Sequence, residues 1–356
     1  MKTWTDRRIL DLFGIDIPII LAPMAGSGTA AMAIGVAEAG GLGSMPCAQL
    51  SAIDMRAALE SIRSATSRPI NLNFFCHMPP PPDPERDRAW RARLKPYYIE
   101  LGLDPDMPLA PPSRKPFDAD ACALVEEFKP EVVSFHFGLP SRELLDRVKA
   151  TGARVISSAT TVREAQWLAA HGCDAVIAMG YEAGGHRGNF LSNEMARQVG
   201  TFALVPQVVD AVKVPVIAAG GIADARGIVA ALALGASAVQ MGTAYLFCPE
   251  AHVPALYRDA LINAADDDTT VTNVFTGRPA RGIANRLIEE VGPMSSSAPA
   301  FPLASSAVAP LRAKTEPAGS RDFMNLWSGQ AARLARRGVS AGELTRMLAF
   351  EALKKL

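Results

Sequence analysis

A (β/α)8 TIM barrel of the α/β class is the fold this sequence predicts, and three observations predict it. Eight short apolar runs recur along the 356 residues, most followed by an Ala-rich segment with helical spacing. The runs are continuously apolar, which marks strands of a parallel sheet covered by helices. No GxGxxG fingerprint follows the first run, which weakens the open, doubly wound sheet as an alternative. Eight such units favour closure into a barrel.

The runs are "IPIILAPM" (Ile17 to Met24), "GGLGSMP" (Gly40 to Pro46), "PINLNFFC" (Pro69 to Cys76), "EVVSFHFG" (Glu131 to Gly138), "RVISSAT" (Arg154 to Thr160), "AVIAMG" (Ala175 to Gly180), "PVIAAGG" (Pro215 to Gly221) and "AVQMGTAYL" (Ala238 to Leu246). Each ends in Gly, Pro or a small polar cluster, the usual punctuation of a strand. Between them lie helical segments such as "SAIDMRAALESIRS", "TVREAQWLAAHG" and "ADARGIVAALALG". Most begin at Ser, Thr or Asp and stop at Gly, as helix caps require.

Two segments break the repeat. Residues 77–120, opened by the Pro-rich "HMPPPPDPERDRAWR", form an insertion after the third strand. From about Glu250 onward the chain carries "FTGRPARGIANRLIEE", a loose "MSSSAPAFPLASSAVAP" stretch and two helical segments. We therefore expect residues 1–249 to form the barrel with its insertion, and residues 250–356 to form a mostly helical lid or subdomain that packs on and completes it.

Lys+Arg and Asp+Glu number 36 each, so no electrostatic footprint for nucleic acid or an anionic membrane is expected. A small molecule is the expected partner. Five scattered cysteines lack metal-ligand spacing, so we expect no metal and read them as thiols of a reducing cytoplasm. Gly227 to Pro249 is free of charge over a membrane-spanning length, but its change from helix-like to strand-like pattern near Gly235 fits a buried helix and strand better.

Barrel enzymes assemble their chemistry where the strands end. Here those ends supply Pro23 and Met24, Asn71 and Asn73, His136, the stretch "GYEAGGHRG" with His186, Gly220 and Gly221, and finally Gly242 and Thr243. The last two ends are the positions where barrels commonly hold a phosphate. Backbone N–H groups at Gly220, Gly221, Gly242 and Thr243, with a helix N-terminus near Ala223 or Asp224, would bind one without Lys or Arg. The eight strand ends are almost uncharged, which suits a flat, neutral ring and points to FMN rather than a sugar phosphate.

The motifs "PIILAPMAG", "GGLGSM", "NLNFFCH", "VSFHFG", "GYEAGGHRG", "AAGGI", "ASAVQMGTA", "FTGRPARG" and "LWSGQ", in this order, strongly resemble the class I nitronate monooxygenases, formerly called 2-nitropropane dioxygenases. The resemblance runs from about Phe13 to the C-terminal helix. It implies an FMN barrel that uses O2 to convert alkyl nitronates, of the propionate 3-nitronate class, into a carbonyl compound and nitrite, a detoxifying reaction. It further implies Pro23 and Met24 against the isoalloxazine, Asn71 on its polar edge and Gly180 with Gly185 bordering it. The phosphate would lie on Gly220, Gly221, Gly242 and Thr243, near Gln240 and Met241. Met179 stands where the family motif carries Gln; a glutamine there could donate a hydrogen bond to the flavin, which methionine cannot, so the resemblance leaves the flavin's redox tuning open.

By the same resemblance His186 is the active-site histidine and His136 a second one facing the pocket. His186 would hydrogen-bond the nitronate oxygens, most strongly as imidazolium, with an ionisation near neutrality. His136 has an alternative as a core histidine satisfied by a neighbouring carbonyl. Two further functions stay open: an NAD(P)H-dependent FMN reductase of the quinone or enoyl-acyl-carrier type, and a flavin-binding barrel without turnover. The oligomeric state is open as well, a homodimer included.

Overall fold

In the computed structural model, which describes residues 3–112 and 114–356, eight parallel strands form the barrel wall. They are β1 (Ile19–Leu21), β2 (Gly43–Pro46), β3 (Ile70–Phe75), β4 (Val132–His136), β5 (Arg154–Ala159), β6 (Ala175–Met179) and, after a two-residue β7 (Gly185–His186) outside the wall, β8 (Val216–Ala219) and β9 (Ala238–Met241). Strand β9 pairs with β1, and a parallel bridge between Ile20 and Leu42, just before β2, closes the ring. Each of the eight apolar runs supplies one wall strand, as the TIM-barrel reading expects.

Alternation along each strand sorts the residues into two faces. On β3, Ile70, Leu72 and Phe74 join the core between wall and helices, which leaves Asn71, Asn73 and Phe75 on the inner face. The N-terminal helix Arg8–Phe13 closes the floor. Its Ile9, Leu10 and Phe13 cluster with Ile20, Leu42, Val132, Ile156 and Ile217 of the wall. With the floor filled by apolar side chains, the accessible end is the one where the strands finish.

The outer helices start at the caps the sequence predicts. Side chains of Thr29, Ser51, Ser141, Thr161 and Asp224 each accept an N–H from the first turn. The eighth outer helix is the last of the chain, Ala341–Lys355, which packs on Ala30–Glu38 and Ala225–Ala233. That approach is close because Gly342 meets Gly35: a Cβ on Gly342 would lie 2.8 Å from the Gly35 carbonyl oxygen.

The insertion helix Pro84–Glu100 packs with Arg286–Val291 and Ala304–Thr315 in a separate apolar cluster that includes Trp90, Tyr97, Leu287, Leu311 and Phe323. Trp90 Nε1 and Tyr98 OH donate to the carbonyls of Ala304 and Ala307, so the polar tips of the buried aromatics are satisfied. A hairpin of β10 (Thr269–Thr272) and β11 (Ala280–Ile283) pairs antiparallel with β7, setting Ala280 opposite His186 and Arg281 opposite Gly185. All five cysteines are unpaired, and no helix among the described residues is long and apolar enough to cross a membrane.

Candidate active site

A cavity of about 1340 Å³, including its open mouth, lies at the C-terminal ends of the strands. Pro23, Met24, His136, Met179, Gly185 and His186 line it, together with Gly220, Gly221, Gln240, Gly242 and Thr243. Three other residues singled out from the sequence do not, and strand geometry explains each. Met241 follows Gln240, so it points outward into the helix-facing core. Asn71 is inward but a layer deeper; its Nδ2 donates to Ser44 Oγ at 2.9 Å, and Asn73 above it reaches the cavity. Gly180 points outward against the helix Thr201–Ala211.

At Gly180 a Cβ would come within 1.9 Å of Thr201 Oγ1 and 2.5 Å of its Cα and N. The glycine is there for helix packing. Since backbone atoms cannot rotate away, Gly180→Ala is expected to destabilise the fold by about 3 kcal/mol, at the upper end of the usual overpacking range. Urea denaturation checks this; an unchanged midpoint refutes it.

At the phosphate end, Gly220 and Gly221 both hold positive φ, 111° and 70°, which only glycine adopts without strain. The N–H groups of Gly220, Gly221, Gly242 and Thr243 have no acceptor among the turn and loop hydrogen bonds of the described residues. Four such donors border one cavity, the backbone chemistry that suits an anion. At the start of the helix Ala225–Ala233, the Asp224 carboxylate accepts from the N–H groups of Arg226 and Gly227, while Ile222 and Ala223 just before it line the cavity. The Gln240 amide oxygen, buried against the same cavity, also lacks a partner. A Cβ on Gly185 would meet nothing within 4 Å, so the backbone there faces open space.

The histidines are held differently from one another. His136 uses both ring nitrogens within the protein: Nδ1 bonds Ser158 Oγ at 2.6 Å and Nε2 the His186 carbonyl at 3.1 Å. Since that carbonyl can only accept, Nε2 carries the proton. Burial pushes the His136 ionisation down to about 3. His186 bonds Thr276 Oγ1 through Nε2 at 2.9 Å, while its Nδ1 has no hydrogen-bond partner among the described residues. Burial, then the nearby Arg114 charge, hold His186 well below the ordinary histidine range. That direction favours the neutral imidazole and runs against the expectation of an ionisation near neutrality.

Several site residues escaped the sequence reading. Arg187 is fully buried and donates to the carbonyls of Gly180 and Met179 at 2.7 and 2.9 Å, pinning the end of β6. Glu182 lines the cavity, but its carboxylate accepts from Thr201 N and Oγ1 at the start of the helix Thr201–Ala211. Thr276 comes from "FTGRPARG" and Gly329 from "LWSGQ"; Gly329 N donates to Thr243 Oγ1 at 2.9 Å. Phe301 packs edge-on against His186 with ring centroids 5.2 Å apart. Only the glycine motifs signalled these contacts in advance, because a residue far along the chain carries no local mark of the cavity it will meet.

Comparison with known proteins accords with this geometry. A family profile described as nitronate monooxygenase matches residues 6–351. A nitronate monooxygenase of Pseudomonas aeruginosa PAO1 is 43% identical, over 97% of this chain and 98% of the relative. One from Paraburkholderia phytofirmans PsJN is 42% identical, over 97% and 94%. Among solved structures, a nitroalkane oxidase from Streptomyces ansochromogenes superposes with a TM-score of 0.88 at 36% identity, covering 98% of both chains. FabK from Thermotoga maritima is similar at TM-score 0.71 and 28% identity, over 98% and 96%. Matched over almost its whole length by that profile and by these relatives, the chain is an oxidoreductase of the nitronate monooxygenase family.

Proposed function

We propose that the protein binds FMN and uses O2 to convert alkyl nitronates, of the propionate 3-nitronate class, into a carbonyl compound and nitrite. One observation carries this reading: a cradle of unpaired backbone donors and a neutral histidine with a free ring nitrogen line the same cavity. The residues fit a phosphate-bearing flavin. Gly220, Gly221, Gly242 and Thr243 would hold the phosphate, with Pro23, Met24, Met179, Gly185 and Gln240 beside the ring system. Bound FMN supplies the electron acceptor and the O2 chemistry.

The chain's own residues position and polarise. A nitronate is already a carbanion equivalent, so no difficult proton removal is asked of the protein. Turned from the Arg278 carbonyl, which it reaches at 3.4 Å, to His186 Nε2 at 2.9 Å, the Thr276 hydroxyl would leave the ring proton on Nδ1, and that N–H would donate to a nitronate oxygen. His136 is a positioning residue in this scheme: its Nε2 proton holds the carbonyl of His186 and so the turn of β7. Aromatic packing by Phe75, Phe137 and Phe301 around His186 limits the water that competes for it.

The deciding experiment is to identify the heat-released chromophore by mass, then assay nitrite formation and O2 uptake with propionate 3-nitronate. FMN with nitrite release is expected. Rapid anaerobic bleaching by NADH, without turnover of nitronate, would replace this reading with the reductase. Met179→Gln adds a donor at the inner end of β6 and is expected to shift the flavin reduction potential, read by spectroelectrochemistry. An unchanged potential means that Met179 only packs. Catalysis in the cytoplasm is in keeping with five unpaired thiols.

A further inference from the structure

One charged side chain in the cavity has no part in the scheme above. Arg114, near the end of the 77–120 insertion, lines the cavity together with His186 and Gln49. With the Gln49 amide oriented by its partners, the Gln49 carbonyl accepts from Arg114 Nε at 3.0 Å and Nη2 at 2.9 Å. That contact leaves Nη1 and the second Nη2 hydrogen uncommitted, since a guanidinium has five donors in a rigid fork. Glu182 is the only acidic residue among the cavity's described lining, and Thr201 already engages its carboxylate. Arg114 has no ion pair among the described residues, and its charged neighbour Arg312 has the same sign. Burial lowers it to about 10, so it stays cationic at neutral pH.

A cation held in place by a neutral amide, half-buried and facing a cavity whose one described carboxylate is engaged by Thr201, is matched to an anionic ligand group; the guanidinium fork suits a carboxylate. We infer that Arg114 determines specificity by binding a carboxylate on the alkyl chain of the substrate, while the nitronate end lies at His186. The inference rests on the nitronate reading and deepens it: nitronates with a carboxylate tail are preferred over simple alkyl nitronates. The positive charge of Arg278, stacked 3.9 Å over the Phe137 ring, adds to the attraction for a doubly charged anion.

The test compares wild type with Arg114→Gln and Arg114→Lys, using propionate 3-nitronate and propyl-1-nitronate. Arg114→Gln is expected to lower kcat/KM for the carboxylated substrate by roughly ten- to a hundredfold, chiefly through KM, and to leave propyl-1-nitronate within about twofold. Arg114→Lys should recover part of the loss. Equal losses on both substrates, no loss on either, or loss of flavin from the variants would overturn the inference. Calorimetric titration with 3-nitropropionate and with 1-nitropropane is independent of turnover. Binding of 3-nitropropionate by wild type that weakens in Arg114→Gln supports the carboxylate site even if no nitronate is oxidised, in which case the nitronate reading alone falls. Equal affinity in both proteins overturns the site.

Discussion

His186→Ala is expected to lower kcat/KM for nitronates by roughly ten- to a thousandfold and to leave the flavin spectrum in place, a loss of about 1.4 to 4 kcal/mol of transition-state stabilisation. The substitution removes a cavity-lining imidazole whose Nδ1 has no hydrogen-bond partner among the described residues, and leaves the backbone intact. Strand β7 keeps its pairing with β11, and the His186 carbonyl still accepts from His136. The pH profile separates this role from a merely structural one. Since kcat/KM reports the free enzyme, and the free imidazole is held well below the ordinary range by burial and Arg114, His186 contributes no inflection between about pH 6 and 8. Protonation lies on the acid side of the ordinary histidine range, and an imidazolium still donates from Nδ1, so any change in activity due to this group appears only there. A neutral inflection in the wild type that vanishes in the mutant would show that the imidazole is charged. His136→Ala should cost less, because it acts through the His186 backbone. Initial rates of O2 uptake measure both variants.

Gly221→Glu is expected to abolish flavin retention. At φ 70° any side chain is strained, and the added carboxylate stands beside Glu182, whose side chain is already the nearest neighbour of a Cβ placed there, at 3.5 Å. Two like charges then border the cradle that a phosphate dianion would occupy. Gly221→Ala serves as the control, since its Cβ fits in ordinary contact and only the backbone strain remains. The ratio of flavin to protein absorbance after purification is expected to fall to near zero in Gly221→Glu and only partly in Gly221→Ala. Full occupancy in the glutamate variant would remove the phosphate assignment.

The wall, the caps and the direction of the site were legible in the sequence because each depends on local chemistry. Apolar runs of strand length bury on both faces whatever follows them, and Thr29, Ser51 and Asp224 cap helices through amides two or three residues away. The same locality has two sides at one place: Asp224 marks the start of a helix, and its carboxylate also engages two of that helix's first N–H groups, those of Arg226 and Gly227. Strand parity could have removed Met241 and Gly180 from the cavity, since each follows an inward residue. The depth of Asn71 within the barrel was not available from parity, which puts Asn71 and Asn73 on one face.

By itself, then, the sequence determined an eight-stranded barrel, its glycine turns at the last two strand ends and a histidine after the sixth run, all set by contacts within a few residues of chain. Tertiary structure alone decided what those groups experience. Thr276 reaches His186 across 90 residues and Arg114 arrives from the insertion to share its cavity. The last helix travels from the end of the chain to complete the outer ring. The protonation of His186 is the clearest case. Its charge is set by desolvation and by the field of distant arginines, and both depend on which segments meet in space rather than on which residues adjoin it in the chain.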